Sequence, residues 1–459
     1  CYFVERTQKC TKLFFNHYIM DFKALYLRKK FWINDFFHGG KMWSAFKEIN
    51  YINNNIVEGE KIRQSHLQDI LNFAKENVPF YKNIKGNSLA DFPVINKQMI
   101  LADRDAFLTP EELIPGQKGK LHIQTTSGSS GIPFALPQDT NCRIRRIALI
   151  KYGNELVGFH SFERMMHLRS FEHYWKDKKG GMLFNKDLNI VYANNANLND
   201  EMVANICHVI NEYKIKLIRG YMTTLDFITR YAVANGIDFP LHPVFISVGE
   251  PLNEALRLRV SQQLSCIIIS QYGNEENGIF GQTIPNGKGT TMQLNLANCY
   301  MEILKFDSDE PVADGELGRI VVTDLTNYAM PMIRYDIGDV AMVGEKKSGI
   351  MVSIDNLGGR KTDLIIRTDG IQVDFYNSVS PDLFLNEGIS QFQFIQKGEK
   401  EYLLKLNLKD ESLKAMTDRF VGYVKKVVGE DANCIVEYVS EIPVLSSGKR
   451  KVVINEWKK

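Results

Sequence analysis

With 459 residues, 44% of them hydrophobic and 24% charged, the chain exceeds what one growing core accommodates, and its composition excludes a disordered or low-complexity protein. Lys and Arg number 56 against 54 Asp and Glu, a net charge of +2 that lacks the basic footprint of a nucleic-acid binder, so no nucleic-acid partner is expected. No run approaches the roughly 18 consecutive apolar residues of a transmembrane span.

The opening residues lack a basic stretch followed by an apolar run and a cleavage site, so no export signal is expected, although the numbering opens at Cys1 rather than a methionine. The cysteines Cys1, Cys10, Cys142, Cys207, Cys266, Cys299 and Cys434 form no CxxC pair or regular spacing. Their scatter predicts a reducing, cytoplasmic setting.

In chain order, the first element is an aromatic and basic segment, YLRKKFWINDFF over 26–37. It reads either as an amphipathic helix on a membrane surface or as a helical arm packed on its own domain, and the arm is the expected form. Leu67, Ile70, Leu71 and Ala74 then repeat at the spacing of one buried helical face, stopped by Pro79. After the alternating LHIQ comes TTSGSSGIP (125–133), in which glycines allow close backbone approach while Ser and Thr hydroxyls and backbone N–H groups can surround phosphate oxygens. No lysine follows its second glycine, so it is not a GxxxxGK[ST] loop, and a plain flexible loop is the alternative. His160, His167 and His173 lie close in sequence without metal-ligand spacing and read as surface or pocket-lining residues.

From about 200 to 340, helical stretches alternate with VFISV (244–248), CIIIS (266–270) and RIVVT (319–323), predicting a layered α/β domain with its ligands on the loops at strand ends. Beyond Gly359 the pattern changes to EYLLKLNL (401–408), a helix over 412–428 with Leu413, Met416, Phe420 and Val424 on one face, and CIVEYV (434–439). The fold class expected is α/β: a large layered domain over 1–359, including the N-terminal arm, and a small α+β lid over 360–459.

Five further segments come after TTSGSSGIP in fixed order: SVGEP (247–251), QYGNEE (271–276), PMIRYDIGD (331–339), GGRKTD (358–363) and PVLSSGK (443–449). The set resembles the acyl-adenylate-forming superfamily of acyl-CoA synthetases, peptide-synthetase adenylation domains and luciferases, from about residue 78 onward. NVPFY (77–81), FPVINK (92–97), RGYMTTL (219–225) and GELGRIVVTDLTNYAMPMIRYDIGD (315–339) look most like the phenylacetate-CoA ligase branch, which includes capsular-polysaccharide-associated relatives and enzymes that adenylylate a deazaflavin coenzyme.

The resemblance also implies roles for individual residues. Thr126, Ser127, Gly128, Ser129, Ser130 and Gly131 surround the nucleotide phosphates; Tyr272 stacks on adenine, Gly273 belongs to the same nucleotide-binding segment, and Gly249, Glu250 and Pro251 line the other side of the base. Asp339 accepts the ribose hydroxyls, Glu276 holds Mg²⁺, Arg360 contacts ribose or phosphate from the hinge, and the lid residue Lys449 reaches the α-phosphate and carboxylate. Glu275 reads as solvated. The implied reaction is ATP- and Mg²⁺-dependent activation of an aryl or small carboxylic acid as acyl-AMP, then transfer to a thiol such as coenzyme A or a carrier protein. The alternatives are an adenylyltransferase placing AMP on a hydroxyl acceptor and an acyl-activating enzyme of polysaccharide biosynthesis. A homodimer is compatible with this branch.

Two departures bear on the second half-reaction: Thr362 stands where relatives carry a pivot aspartate, and RTDGIQVD (367–374) is one residue longer than the RGxN-type loop and lacks its proline. The acid pocket is expected between about 150 and 300, near His173, Tyr174, Trp175, Tyr221 and Met222.

Overall fold

The computed structural model describes residues 21–126, 134–169, 181–196, 198–250, 252, 254–285, 291–361, 364–375, 378, 388–443 and 451–457. The chain divides into two units, one of residues 1–44, 150–252 and 256–270, the other of residues 45–149, 253–255 and 271–459.

In the first unit, short apolar runs become parallel strands because both faces of their sheet are covered. Met165–Arg169 pairs in parallel with Ile190–Asn194 and with Leu217–Tyr221, which pairs in parallel with Val244–Val248; Met182–Asn185 adds an antiparallel edge to Ile190–Asn194. Helices Asp200–Glu212 and Met222–Ala234 bury Val203, Ile206, Ile210, Leu225 and Ile228 in one core with Met166, Ile218 and Phe245. Leu217, Val244, Ile246 and Ile269 form a second apolar cluster with Val157 and Phe159. Asn199 starts the first of these helices by accepting the Met202 N–H at 2.9 Å.

The N-terminal arm is helix Phe22–Phe37, capped by Asp21, whose carboxylate accepts the Ala24 N–H at 3.0 Å. Its inner side packs within the same unit, as expected of an arm. Arg28 Nε donates to the Ser161 carbonyl at 3.1 Å, and the Phe31 ring lies 5.6 Å from that of Phe162. Lys151 Nζ sits 4.3 Å from the Phe31 ring centre, and burial draws its pKa down to about 8.

In the second unit the expected alternation of helix and strand does not continue to 340. From Gly278 the strands pair antiparallel, with no helix between them among the described residues, in the order Cys299–Leu304, Leu317–Asp324, Tyr335–Val343, Ser353–Asp355, Met292–Leu294 and Gly278–Thr283. Two-residue periodicity with no helix between strands favours antiparallel pairing over crossover connections. Helix Ile56–Asn77 supplies Leu67, Ile70, Leu71 and Ala74 to the core beside this sheet, and the chain leaves it at Pro79, the position the sequence predicts.

The C-terminal part of this unit is a sheet in the order Asn433–Tyr438, Glu401–Leu408, Ile389–Gln396 and Val453–Asn455, packed on helix Thr417–Val428 through Phe420, Val424 and Val428. The helix begins later than 412, because Asp410 accepts the Ser412 N–H at 2.8 Å and the intervening turn Glu411–Met416 is 3₁₀. Leu413 and Met416 are half-buried on that turn. The segment Leu364–Ile366 is gripped by buried polar side chains: Gln396 bonds both the N–H and the carbonyl of Ile366, Tyr402 Oη donates to that carbonyl at 2.6 Å, and Asn455 Nδ2 donates to Leu364 O at 2.7 Å. Among the described residues no helix is long and apolar enough to cross a membrane.

Candidate active site

The turn PMIRYDIGD is anchored by side chains that the sequence places far away. Tyr81 is fully buried; its hydroxyl donates to Pro331 O at 3.3 Å and accepts the Ile333 N–H at 3.4 Å. Ile95 donates its N–H to Arg334 O at 3.0 Å and accepts from Asp336 N at 2.8 Å. Arg334 has φ +51° and donates to both oxygens of Glu302 at 3.1 Å and to Phe92 O at 3.0 Å. This forked pairing holds a left-handed backbone that a residue with a Cβ otherwise avoids. NVPFY, FPVINK and PMIRYDIGD therefore meet in one place.

On the strand leaving this turn, Asp339 carries the centre of the site. Tyr272 Oη donates to Asp339 Oδ2 at 2.8 Å, and Arg360 Nε lies 3.4 Å from Oδ1. Arg360 also donates to Ile337 O at 2.6 Å, and its backbone bridges that of Asp339 in antiparallel fashion. Gly338 is required here: its φ is +80°, and a Cβ would stand 3.2 Å from Arg360 Nη1. Burial, then the Asp339 charge, push the Tyr272 hydroxyl well above its ordinary range, so it stays protonated and donates. Asp339 is the largest influence on Arg360, raising its pKa.

Glu276 occupies the turn between strands Ile267–Asn274 and Gly278–Thr283, whose backbones approach so closely at Gly273 that a Cβ there would lie 2.3 Å from Gly278 O. Burial raises the Glu276 pKa, against the lowering influence of its own backbone N–H, Arg360 and Lys97. The turn is held by Arg146, which donates to Glu275 O at 3.0 Å and to Glu276 O, while Asp324 Oδ2 lies 3.5 Å from its Nη2. Glu275, expected to be solvated, is exposed but accepts Gln124 Nε2 at 2.7 Å, tying the turn to strand His122–Thr126.

This donor set fits one Mg²⁺. A half-buried carboxylate with a raised pKa is a group that a hard cation compensates, and such ions are commonly held by one or two carboxylates with substrate phosphates completing the shell. Among the described residues no group of three or more His, Cys, Asp or Glu assembles into an all-protein metal centre.

Gly249 and Glu250 lie in the first unit, after strand Val244–Val248. The Glu250 carboxylate accepts Thr223 N at 2.9 Å and Thr223 Oγ1 at 3.0 Å, so it caps helix Met222–Ala234. His167 is neutral, its pKa pulled down to about 3 by burial, Arg219 and Arg169. Thr126 ends the strand that leads to the Ser/Gly-rich segment. Ser127, Gly128, Ser129, Ser130, Gly131, Pro251, Thr362 and Lys449 lie outside the described residues, as do His173, Tyr174 and Trp175. Sequence reasoning missed Arg146 and Lys97. RIRRIAL reads as an ordinary basic helix, and nothing in it distinguishes Arg146 from Arg143 or Arg145.

The fold is shared with solved adenylate-forming ligases. A solved structure of 2-hydroxyisobutyryl-CoA ligase in its postadenylation state with R3-HIB-AMP superposes with a TM-score of 0.64 at 18% identity, covering 87% of this chain and 90% of that one. In sequence the chain is similar to CapK and to the phenylacetate-coenzyme A ligases. Residues 365–456 match the CapK C-terminal domain family. Protein CapK of Staphylococcus aureus is 23% identical over 87% of this chain and 89% of its own length. Phenylacetate-coenzyme A ligase of Escherichia coli is 28% identical over 36% of this chain and 38% of the ligase.

Proposed function

We propose that this protein uses MgATP to convert a carboxylic acid, aryl or small, into its acyl-AMP with release of pyrophosphate, and then passes the acyl group to a thiol such as coenzyme A. The observation that carries this reading is the joining of Tyr272, Asp339 and Arg360 by direct contacts, with Glu276 within electrostatic reach of Arg360. The CapK likeness over most of the chain and the acyl-AMP-bound structural relative support it.

In this account Tyr272 offers its ring face to adenine, with its hydroxyl tether fixing the ring plane. Asp339, an acceptor-only carboxylate, takes the ribose hydroxyls, and Arg360 reaches ribose or phosphate from the hinge. Mg²⁺, when bound at Glu276, offsets the charge of the phosphates. Gly249 to Pro251 line the base, the Thr126 to Gly131 segment surrounds the phosphates, and Lys449 approaches the α-phosphate from the lid. The acid's carboxylate oxygen attacks the α-phosphorus, the new P–O bond forms, and pyrophosphate leaves with the electron pair of the bond it loses. The carboxylate is ionised at neutral pH, so no general base is needed and catalysis is positioning plus charge stabilisation. We place the domain boundary at 359/360; the clamp of Gln396, Tyr402 and Asn455 on Leu364–Ile366 supports assigning that segment to the lid.

A hydroxyl acceptor is the second reading. The RTDGIQVD segment closes a hairpin in which Arg367 N donates to Ile371 O at 2.9 Å and Ile365–Ile366 pairs with Gln372–Val373, and this is the region where the sequence departs from the RGxN-type loop. The matched C-terminal family is that of CapK, which also keeps a polysaccharide-associated acyl-activating role in view.

The test is ATP–pyrophosphate exchange over a panel of aryl, short aliphatic, hydroxy and amino acids, with Lys449→Ala as control. Exchange that depends on one acid and collapses in the variant supports the reading. No exchange with any acid, despite measurable MgATP binding, overturns it for those acids and shifts weight to a hydroxyl acceptor.

A further inference from the structure

Helix Phe22–Phe37 buries Ala24, half-buries Leu27, Arg28 and Phe31 beside it, and leaves its other side apolar and exposed. Phe22, Tyr26, Ile33, Phe36 and Phe37 are 72%, 62%, 56%, 74% and 77% exposed. At 100° per residue these five positions fall on one face of the helix, which is opposite in character to what a solvated surface stripe needs. Lys23, Lys29 and Lys30 are exposed on or beside the same face.

The charge of this region is one-sided. Between residues 21 and 44 the only acids are Asp21 and Asp35, set against Lys23, Arg28, Lys29, Lys30 and Lys41. Both acids are used internally: Asp21 caps the helix and pairs with Arg164 at 3.4 Å, and Asp35 accepts Met42 N at 3.1 Å and Trp43 N at 2.9 Å. The outward field is therefore that of the lysines.

We infer that this face docks on an anionic lipid surface, the aromatic and aliphatic side chains entering the headgroup boundary and the lysines pairing with lipid phosphates. An interfacial helix combines an apolar face, aromatic residues and flanking cations in this way. A second copy is the poorer occupant, because two such faces brought together oppose lysine to lysine without an acid to match. The inner side, fixed by Arg28 on Ser161 and Phe31 on Phe162, keeps the helix in place while the outer side binds. The inference is independent of the adenylation reading, since none of these residues belongs to the nucleotide site.

The experiment is co-sedimentation of the full chain with vesicles of pure phosphatidylcholine and of phosphatidylcholine mixed with phosphatidylglycerol, at low and high salt. The expected result is pelleting with the mixed vesicles, weakened by salt. Each lysine near an anionic surface contributes a factor of about five, so Lys29→Glu/Lys30→Glu loses at least about 25-fold in partitioning onto the mixed vesicles, and Phe36→Ser/Phe37→Ser loses a comparable amount there. Melting temperature and pyrophosphate exchange stay at wild-type values in both variants. Absence of pelleting by the wild-type chain overturns the inference, as does pelleting that neither pair of substitutions reduces. A wild-type dimer that Phe36→Ser/Phe37→Ser converts to monomer, with no lipid binding, assigns the face to self-association instead.

Discussion

Tyr272 and Asp339 lie 67 positions apart, yet the phenolic hydroxyl donates to the carboxylate at 2.8 Å. The residue proposed to stack on the base and the one proposed to hold the ribose are thus a single hydrogen-bonded unit. Replacing the hydroxyl and replacing the ring should separate the two contributions. Tyr272→Phe keeps the π-face and loses one hydrogen bond internal to the protein, so the KM for ATP rises about 3- to 10-fold. Tyr272→Ala also loses stacking, which multiplies that rise by a further factor of about 5 to 150. Equal effects in steady-state kinetics would remove adenine stacking from the account.

Arg146 holds the backbone carbonyls of Glu275 and Glu276, and so acts on the side chain proposed to hold Mg²⁺ without touching it. Arg146→Ala is expected to raise the Mg²⁺ concentration needed for half-maximal exchange more than it raises the KM for the acid, and Arg146→Lys recovers part of the loss. It also leaves Asp324, which is 2% exposed, without its cation, at a cost of about 3–5 kcal/mol in stability. A uniform fall in activity with an unchanged Mg²⁺ requirement would make Arg146 structural only.

The raised pKa of Glu276 has a kinetic signature. The ionised form is the one that holds a cation, so activity falls as pH drops through a pKa above the usual glutamate value of about 4.3. Metal binding favours the ionised form, and raising Mg²⁺ moves this acid limb to lower pH. The profile of kcat/KM at low and saturating Mg²⁺ checks this; a limb that ignores Mg²⁺, or survives unchanged in Glu276→Gln, rules it out.

Glu48 provides a stability test away from the site. Its pKa is lowered to about 2, chiefly by the hydrogen bond from His66 and then by Arg145, at 2.9 and 2.6 Å. A depressed carboxylate pKa contributes stability above the unfolded value and loses it as pH falls through the folded one. Glu48→Gln should therefore destabilise at neutral pH by about 1–2 kcal/mol, a figure discounted for partial exposure. The difference should fade between pH 4.5 and 2. Urea titrations of both proteins across that range measure it.

Much of the scaffold is legible in the sequence, because unbroken or alternating apolar runs determine it locally. Val244–Val248 and Glu401–Leu408 are strands over the residues their patterns mark, and Leu67 to Ala74 form the buried face that their spacing predicts. What is not legible depends on distant partners. Asp410 competes for a backbone N–H and turns the start of the 412–428 helix into 3₁₀. Glu275 acquires Gln124, 151 positions away, and Arg146 acquires Glu276, 130 positions away. Tyr272, Asp339, Arg360 and Glu276 stand out in the sequence as parts of a resemblance, whereas their mutual contacts require the fold.

The most direct test of acyl-AMP formation is to follow oxygen. An acid labelled with ¹⁸O in both carboxylate oxygens is incubated with ATP, Mg²⁺ and a thiol acceptor, and the released AMP is weighed by mass spectrometry. If the carboxylate attacks the α-phosphorus and the acceptor then attacks the acyl carbon, AMP leaves carrying one ¹⁸O atom. AMP without label, or AMP found covalently on a hydroxyl acceptor, would contradict acid activation as the chemistry of this protein.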